Sequence, residues 1–558
     1  IRARNTSVRT RATSDQWWKN AVVYCLDVET FLDWNGDGIG DFPGLTERVD
    51  YLAGIGVSCI WLMPFYPTPD RDDGYDVTDF YGIDPRLGTF GEFVEFMRTC
   101  RDRGIRVIVD LVVNHTSDQH PWFQQARSSR DNKYRDWYVW ADERPANPPE
   151  VTFPGEQKET WTYDRHTRQY YFHRFYAHQP DLNVANPDVR TEIARIVGFW
   201  LELGVSGFRV DAVPFFLEVK GVKDPHAYLK ELRAFLNRRA GEAVLLGEVN
   251  LPPKEQRTFF GDEDGDELNL VFNFDVMQRL YLALARRDSK PIDEALHALP
   301  PVPFDAQWAT FVRNHDELTL DQLSDEERAE VFDAFGPDPD MQLYGRGLRR
   351  RLPPMLDGDA RRLRMVYSLL FSLPGTPVLF YGEEIGMGEN LDEPARGAVR
   401  TPMQWTDEPN AGFAPADVDA DALPARPPAG EYSPLAVNVA EQRRDPDSLL
   451  NWMERLIRRR RETPELGLGQ WRVIENEPRA VFAHRCDWQD STIVAVHNLG
   501  PEPTPVDLPL DDLDGADFAD DLFDGGRTEI RDGCLSLTLA AYGCHWFRVH
   551  RAGQRITP

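Results

Sequence analysis

A chain of 558 residues is longer than one hydrophobic core sustains, so two or three domains are expected, and 41% hydrophobic residues suffice to fill them. The formal charge of −29, from 92 acidic against 63 basic residues, repels nucleic acid, whose binders need a basic face. No stretch approaches the ~18 uninterrupted apolar residues of a membrane span, which excludes a membrane partner.

The first residues, Ile1 to Ser14, are rich in Arg, Ser and Thr and lack the apolar core of a secretion signal; residues 1–16 are read as a disordered arm. From Val22 onward one rhythm recurs: a β-branched apolar run, a loop, an amphipathic helix, another apolar run. That rhythm predicts parallel βαβ units. One unit runs from Ile60-Trp61-Leu62-Met63 through a helix over Glu92 to Arg103, with Phe93, Phe96, Met97 and Cys100 at helical spacing, to Arg106–Leu111. Gly104 is its stop signal.

A second unit pairs a helix over Asp188 to Leu203, with Ile193, Ile196, Val197, Trp200 and Leu201 in one stripe, with the run Gly207-Phe208-Arg209-Val210-Asp211. Further buried strands are read at Val244 to Glu248, Trp308 to Arg313 and Pro377 to Tyr381. A closed (β/α)₈ barrel accounts for this count better than an open sheet, and it is assigned to residues 17–115 and 183–460. Residues 116–182 break the rhythm with an aromatic, proline-containing stretch, read as a small domain inserted after the third strand. Residues 461–558 turn to short alternating strands, Ala480 to Arg485, Thr492 to Asn498, Leu535 to Leu539 and His545 to Val549, a terminal antiparallel β-sandwich.

The six cysteines show no CxxC or CxxH spacing, so zinc and redox motifs are absent. Cys25, Cys59 and Cys100 lie in apolar runs, and buried free thiols in a reducing, cytoplasmic compartment are favoured over disulfides.

Ionisable residues recur at the ends of the expected strands. Residues two apart on a strand share a face, so Arg209 and Asp211 point together at the mouth where barrel enzymes keep their chemistry. The cation beside it suits an ionised, nucleophilic carboxylate; an ion pair closing a barrel layer is the plain alternative. Glu248 leaves the apolar run Val244 to Gly247 into a cleft, a setting that raises a carboxyl pKa and suits a general acid. Asp316 follows another such strand, and Asn114 with His115 a further one. A retaining glycosidase needs two carboxyls facing each other, one to form a covalent glycosyl-enzyme and one to protonate the leaving oxygen.

Four ordered segments, Asp110–His115, Gly207–Asp211, Leu246–Val249 and Phe311–Asp316, resemble the signature of glycoside hydrolase family 13, the α-amylase family. The resemblance implies Asp211 as nucleophile, Glu248 as acid/base and Asp316 as transition-state stabiliser. It implies Arg209 as orienter of the nucleophile, His115 and His315 as hydroxyl binders, Asp72 and Tyr75 closing the nonreducing end of the subsite, and Gln179 and Arg400 lining the pocket. The segments Asp33–Asp41, His178–Asn183, Arg313–Leu320 and Arg400–Trp405 are most similar to the branch of the family that interconverts maltose and trehalose. Hydrolysis of short α-glucosides is the alternative, and a sugar-binding protein without catalysis a remote one. The expected partner is a small α-glucoside such as maltose, trehalose or a short maltooligosaccharide, with no organic cofactor; a homo-oligomer stays open.

Asp33, Asn35, Asp37 and Asp41 alternate as oxygen ligands around glycine turns, the chemistry Ca²⁺ prefers, with the Ile39 carbonyl completing the set; an Asx-rich turn without metal is the alternative. By resemblance, a second cation site would use Asn114, Asp181 and Glu218.

Overall fold

The computed structural model describes residues 16–217, 224–263 and 265–551. The arm expected at 1–16, apart from Gln16, and the expected ligand Glu218 lie outside the described residues.

Eight parallel strands close a barrel: Val23–Leu26, Cys59–Leu62, Arg106–Leu111, Gly207–Val210, Val244–Gly247, Leu270–Phe272, Gln307–Thr310 and Thr376–Phe380. Each pairs with its neighbours in sequence, and the eighth returns to the first, Val378 opposite Val23. The barrel is the one the apolar runs predict, with strand ends displaced by a few residues. The sixth strand escaped the sequence reading because its three residues are too few to show a pattern.

Parallel strands must be crossed by helices that bury the sheet's outer face. The helix Phe90–Asp102 starts at a capping box, with Thr89 and Glu92 satisfying each other's backbone N–H groups, and buries Phe93, Phe96, Met97 and Cys100. The helix Pro187–Glu202 starts with Pro187 behind the Asn186 cap and buries Ile193, Ile196, Val197 and Trp200, while Leu201 is only half-buried. Trp200 meets the rings of Phe65, Tyr66 and Phe93 and donates its indole N–H to the Phe80 carbonyl at 2.9 Å. Truncating such a residue to Ala costs about 3–5 kcal/mol.

Between the third and fourth barrel strands stands a three-stranded antiparallel sheet, Trp140–Ala141, Gln169–Phe172 and Trp161–Asp164, with Gln169–Phe172 in the centre. A bridge between His115 and Asp181 ties this region to the end of the third strand. After the seventh strand, Leu318–Thr319, Gly347–Leu348 and Gln342–Leu343 form a second small sheet. At its hairpin tip both Tyr344 and Gly345 are left-handed, φ 57° and 68°.

From Gln470 to Arg551 eight antiparallel strands hydrogen-bond in one order that folds over itself. Val481, Val494 and Val496 thereby share a core with Val506, Leu508, Leu535 and Leu539, giving the expected sandwich. It rests on the barrel helix Ala360–Ser372, where Trp546 donates to Ser368 Oγ at 3.1 Å and His484 to the Ser372 carbonyl at 2.8 Å. All six cysteines are free thiols, four of them buried. Among the described residues no helix is long and apolar enough to cross a membrane.

Candidate active site

Arg209, on the fourth barrel strand and buried, is the hub of the mouth. Its Nη1 donates to Asp110 at 2.7 Å and to Asp211 at 2.6 Å, and its Nη2 donates to Glu248 at 2.7 Å. Asp211 and Glu248 follow the ends of adjacent parallel strands, so the barrel register alone brings them side by side. Gly247, just before Glu248, leaves room for the Leu268 side chain: a Cβ there would stand 2.3 Å from Leu268 Cδ1, which would have to shift. Ala212, just after Asp211, is held left-handed at φ 47°, and its N–H donates to Glu248 Oε2 at 3.1 Å. A non-glycine residue in that conformation stores about 1–3 kcal/mol, a cost that the surrounding packing imposes at the nucleophile turn.

Burial sets the titration of both groups. Glu248 is pushed up to about 7, chiefly by desolvation and against the pull of Arg209. Asp211 is pushed up to about 6 by the same burial, again opposed by Arg209. Near neutrality the higher carboxyl holds a proton and the lower is ionised, the division of labour that acid and nucleophile require. Arg209, expected beside Asp211 to favour its ionised form, limits a rise that burial dominates. Asp316, flanked by cations, is held well below the usual carboxylate range. Arg396 pairs with its Oδ1 at 3.0 Å and Arg400 donates to the same oxygen at 3.2 Å.

Asp72, Tyr75, His115, Asp211, Glu248, His315 and Asp316 all line one cavity of about 250 Å³. The turn carrying Asp72 and Tyr75 depends on Gly74 at φ 83°, where a Cβ would lie 2.7 Å from the Pro64 carbonyl oxygen. The Tyr75 hydroxyl and His315 Nε2 are 2.8 Å apart, and His315 Nδ1 is buried without a protein partner. Burial lowers His115 to about 4 and His315 well below its ordinary value, so both imidazoles are neutral hydrogen-bonding groups. Gln179 and Arg400, expected to line the cavity, stand behind it instead. Gln179 Nε2 donates to Asp72 Oδ2 at 2.6 Å, and Arg400 braces Asp316, Asp73 and the His315 carbonyl.

Several residues of the site receive no role from the sequence. Asp110, inside a strand pattern, takes bonds from Arg209 and from Trp61 Nε1. Across the mouth, Glu156 Oε2 accepts the hydroxyls of Tyr176 at 2.6 Å and Tyr344 at 3.3 Å. Phe153 packs on Tyr344 with ring centroids 5.2 Å apart, and the Arg396 guanidinium lies 4.8 Å above Phe153. These contacts clasp the inserted region to the hairpin after the seventh strand.

Of the expected cation ligands, Asp33 and Asp41 are buried, and neither meets a cationic side chain within 4.0 Å among the described residues. Their oxygens, with those of Asn35 and Asp37, accept backbone N–H groups within the loop, including Gly36, Gly38, Asp37, Ile39 and Gly44. Asn114 Oδ1 is buried with no hydrogen-bond partner, and Asp181, also buried, bridges the next residue, His115.

The model of the α-amylase catalytic domain matches residues 27–331 and 349–469. The chain belongs to the α-amylase family. The closed barrel is that family's, and the chain is an enzyme of its retaining glycosidase and isomerase chemistry. Residues 491–548 match the C-terminal domain of sucrose hydrolase-like proteins. A trehalose synthase/amylase of Mycolicibacterium smegmatis is 40% identical, over 97% of this chain and 94% of that protein. A trehalose synthase of a Pimelobacter species is also 40% identical, over 96% of each. Among solved structures, a trehalulose synthase mutant in complex with Tris superposes with a TM-score of 0.78 at 29% identity, over 96% of this chain and 100% of that one.

Proposed function

We propose that this family member interconverts maltose and trehalose by double displacement. Asp211 attacks the anomeric carbon, and as the bond to the leaving glucose breaks, Glu248 gives its proton to the departing oxygen. The freed glucose turns within the cavity, and its anomeric hydroxyl passes a proton to Glu248 as it attacks the same carbon and releases Asp211. Asp316, kept ionised by Arg396 and Arg400, holds sugar hydroxyls, while Asp72, Tyr75, His115 and His315 enclose the ring. The observation that carries the reading is the Arg209 fork, which holds the two working carboxyls across one cavity with Glu248 the weaker acid. The clasp over the mouth supports retention of the glucose, since only exclusion of water separates isomerisation from hydrolysis.

One observation favours a second reading, hydrolysis of a short α-glucoside: Glu156, the carboxylate of the clasp, is exposed to solvent. Incubation with maltose and with trehalose, followed by chromatography, separates the two. Trehalose from maltose supports isomerisation, and glucose as the sole product overturns it.

We also infer structural Ca²⁺. The buried carboxylates of Asp33 and Asp41, with Asn35, Asp37 and the Ile39 carbonyl in the same loop, supply oxygen donors of the kind Ca²⁺ prefers. The orphaned Asn114 Oδ1 near Asp181 fits a second ion. The free thiols support a reducing, cytoplasmic setting.

A further inference from the structure

A second cavity, of about 420 Å³, opens on the outer side of the barrel between the helices Val49–Ile55 and Val439–Arg444. It shares no lining residue with the catalytic cavity. Two guanidiniums face it. The Arg48 guanidinium lies 4.6 Å from the centroid of the Trp405 ring, and that of Arg443 5.0 Å from the Tyr51 ring.

Neither guanidinium is satisfied by the protein. Among the described residues the Arg443 side chain makes no hydrogen bond and no ion pair, and Arg48 has only a 3.7 Å contact with its chain neighbour Glu47. The Arg48 Nε is buried without a partner. The other acid at the rim, Asp50, is engaged by Arg103 on the far side. Burial lowers the basicity of Arg48, opposed by Glu47 and aided by the nearby Arg443 charge. In a chain of net charge −29, two arginines with open hydrogen-bond donors stand together at one cavity.

The walls are fixed. Trp405 donates its indole N–H to the Phe31 carbonyl at 2.7 Å, the Tyr51 hydroxyl donates to Glu384 at 2.7 Å, and the two rings meet edge to face at 5.0 Å. Each guanidinium lies over one of these rings, a contact that favours a held side chain at the cavity wall over one free in solvent. A planar fork with unused donors matches the oxygens of a phosphate group, and two forks suit its double charge.

We propose that the Arg48–Arg443 cavity binds a phosphate group, as inorganic phosphate or as the ester of a small sugar. The volume admits either, and Thr406 with the Trp405 edge offers a wall for a sugar ring beside the anion. The test is isothermal titration of the full chain at low ionic strength, where screening is weak, with sodium phosphate, with glucose 6-phosphate and with glucose as control. The expected result is saturable uptake of at least one phosphate compound and none of glucose. Arg443→Gln and Arg48→Gln should each weaken it by at least about tenfold, each removing one fork of charge-assisted bonds. Tighter binding of the ester identifies a sugar phosphate as the ligand, and equal binding identifies free phosphate. Turnover of maltose without phosphate should stay within about twofold in Arg443→Gln, whose side chain is exposed and does not line the catalytic cavity. No saturable uptake by the wild-type chain, or unchanged affinity in a folded Arg443→Gln variant, overturns the proposal.

Discussion

Replacing Arg209 by Lys keeps the positive charge and removes the fork, which makes it a sharp test of how the site is held. In the structure the guanidinium makes three short bonds, to Asp110, Asp211 and Glu248, from two nitrogens set in one plane. A single ammonium on a shorter reach can keep about one of them. Hydrogen bonds to charged groups contribute roughly 1.5–3 kcal/mol each, so losing two removes about 3–6 kcal/mol of positioning, or about 10²–10⁴ in kcat/KM at neutral pH. The pH profile should move as well. Arg209 is the chief influence lowering Asp211 and Glu248 against burial. With weaker opposition both carboxyls titrate higher, so the acid limb, set by ionisation of Asp211 near 6, shifts upward. The assay is kcat/KM for maltose consumption across pH 5–9, with melting curves to verify the fold. Activity within about threefold of wild type at pH 7, with an unmoved acid limb, would refute the reasoning.

Further outcomes follow from other contacts. Glu156→Ala frees Tyr176 and Tyr344 and should raise the ratio of glucose to trehalose formed from maltose about threefold or more, because water enters an unclasped mouth; an unchanged ratio contradicts the role of the clasp. His484, buried neutral against Ser372 and lowered to about 4 from 6.5, lets the unfolded chain bind the extra proton between those values, so its contribution of about 3 kcal/mol is present above pH 6.5 and lost as pH falls to 4. His484→Gln should flatten that part of the pH–stability curve, and equal slopes in urea unfolding at pH 4 to 6.5 would count against it. A calcium chelator should lower the melting temperature of the wild-type chain by several degrees and leave Asp33→Asn less responsive, whereas a melt indifferent to chelator argues for a metal-free turn.

Much of the catalytic mouth was legible because barrel geometry converts a strand-end position into a place at the mouth. Asp211 and Glu248 each stand one residue beyond an apolar run, and parallel register does the rest. The sixth strand was not legible, since three residues carry no alternation. Tyr344 and Arg396 approach the pocket from loops whose course is decided by tertiary packing, and nothing in their local sequence marks them. Gln179 and Arg400 show the limit of a motif: it brings the right residues to the site without saying whether they face the cavity or hold a neighbour that does. Asp211 shows the same limit for charge, because pairing was visible in the spacing with Arg209 while the depth of burial that outweighs it was not.

The most direct measurement is covalent trapping of the sugar on the chain. Treated with a fluorinated glucosyl fluoride that forms the glycosyl-enzyme faster than it is released, the protein should gain one sugar mass, and peptide mapping should place it on Asp211. A label on any other residue, or none on a folded chain that still turns over maltose, would contradict the double displacement at its root.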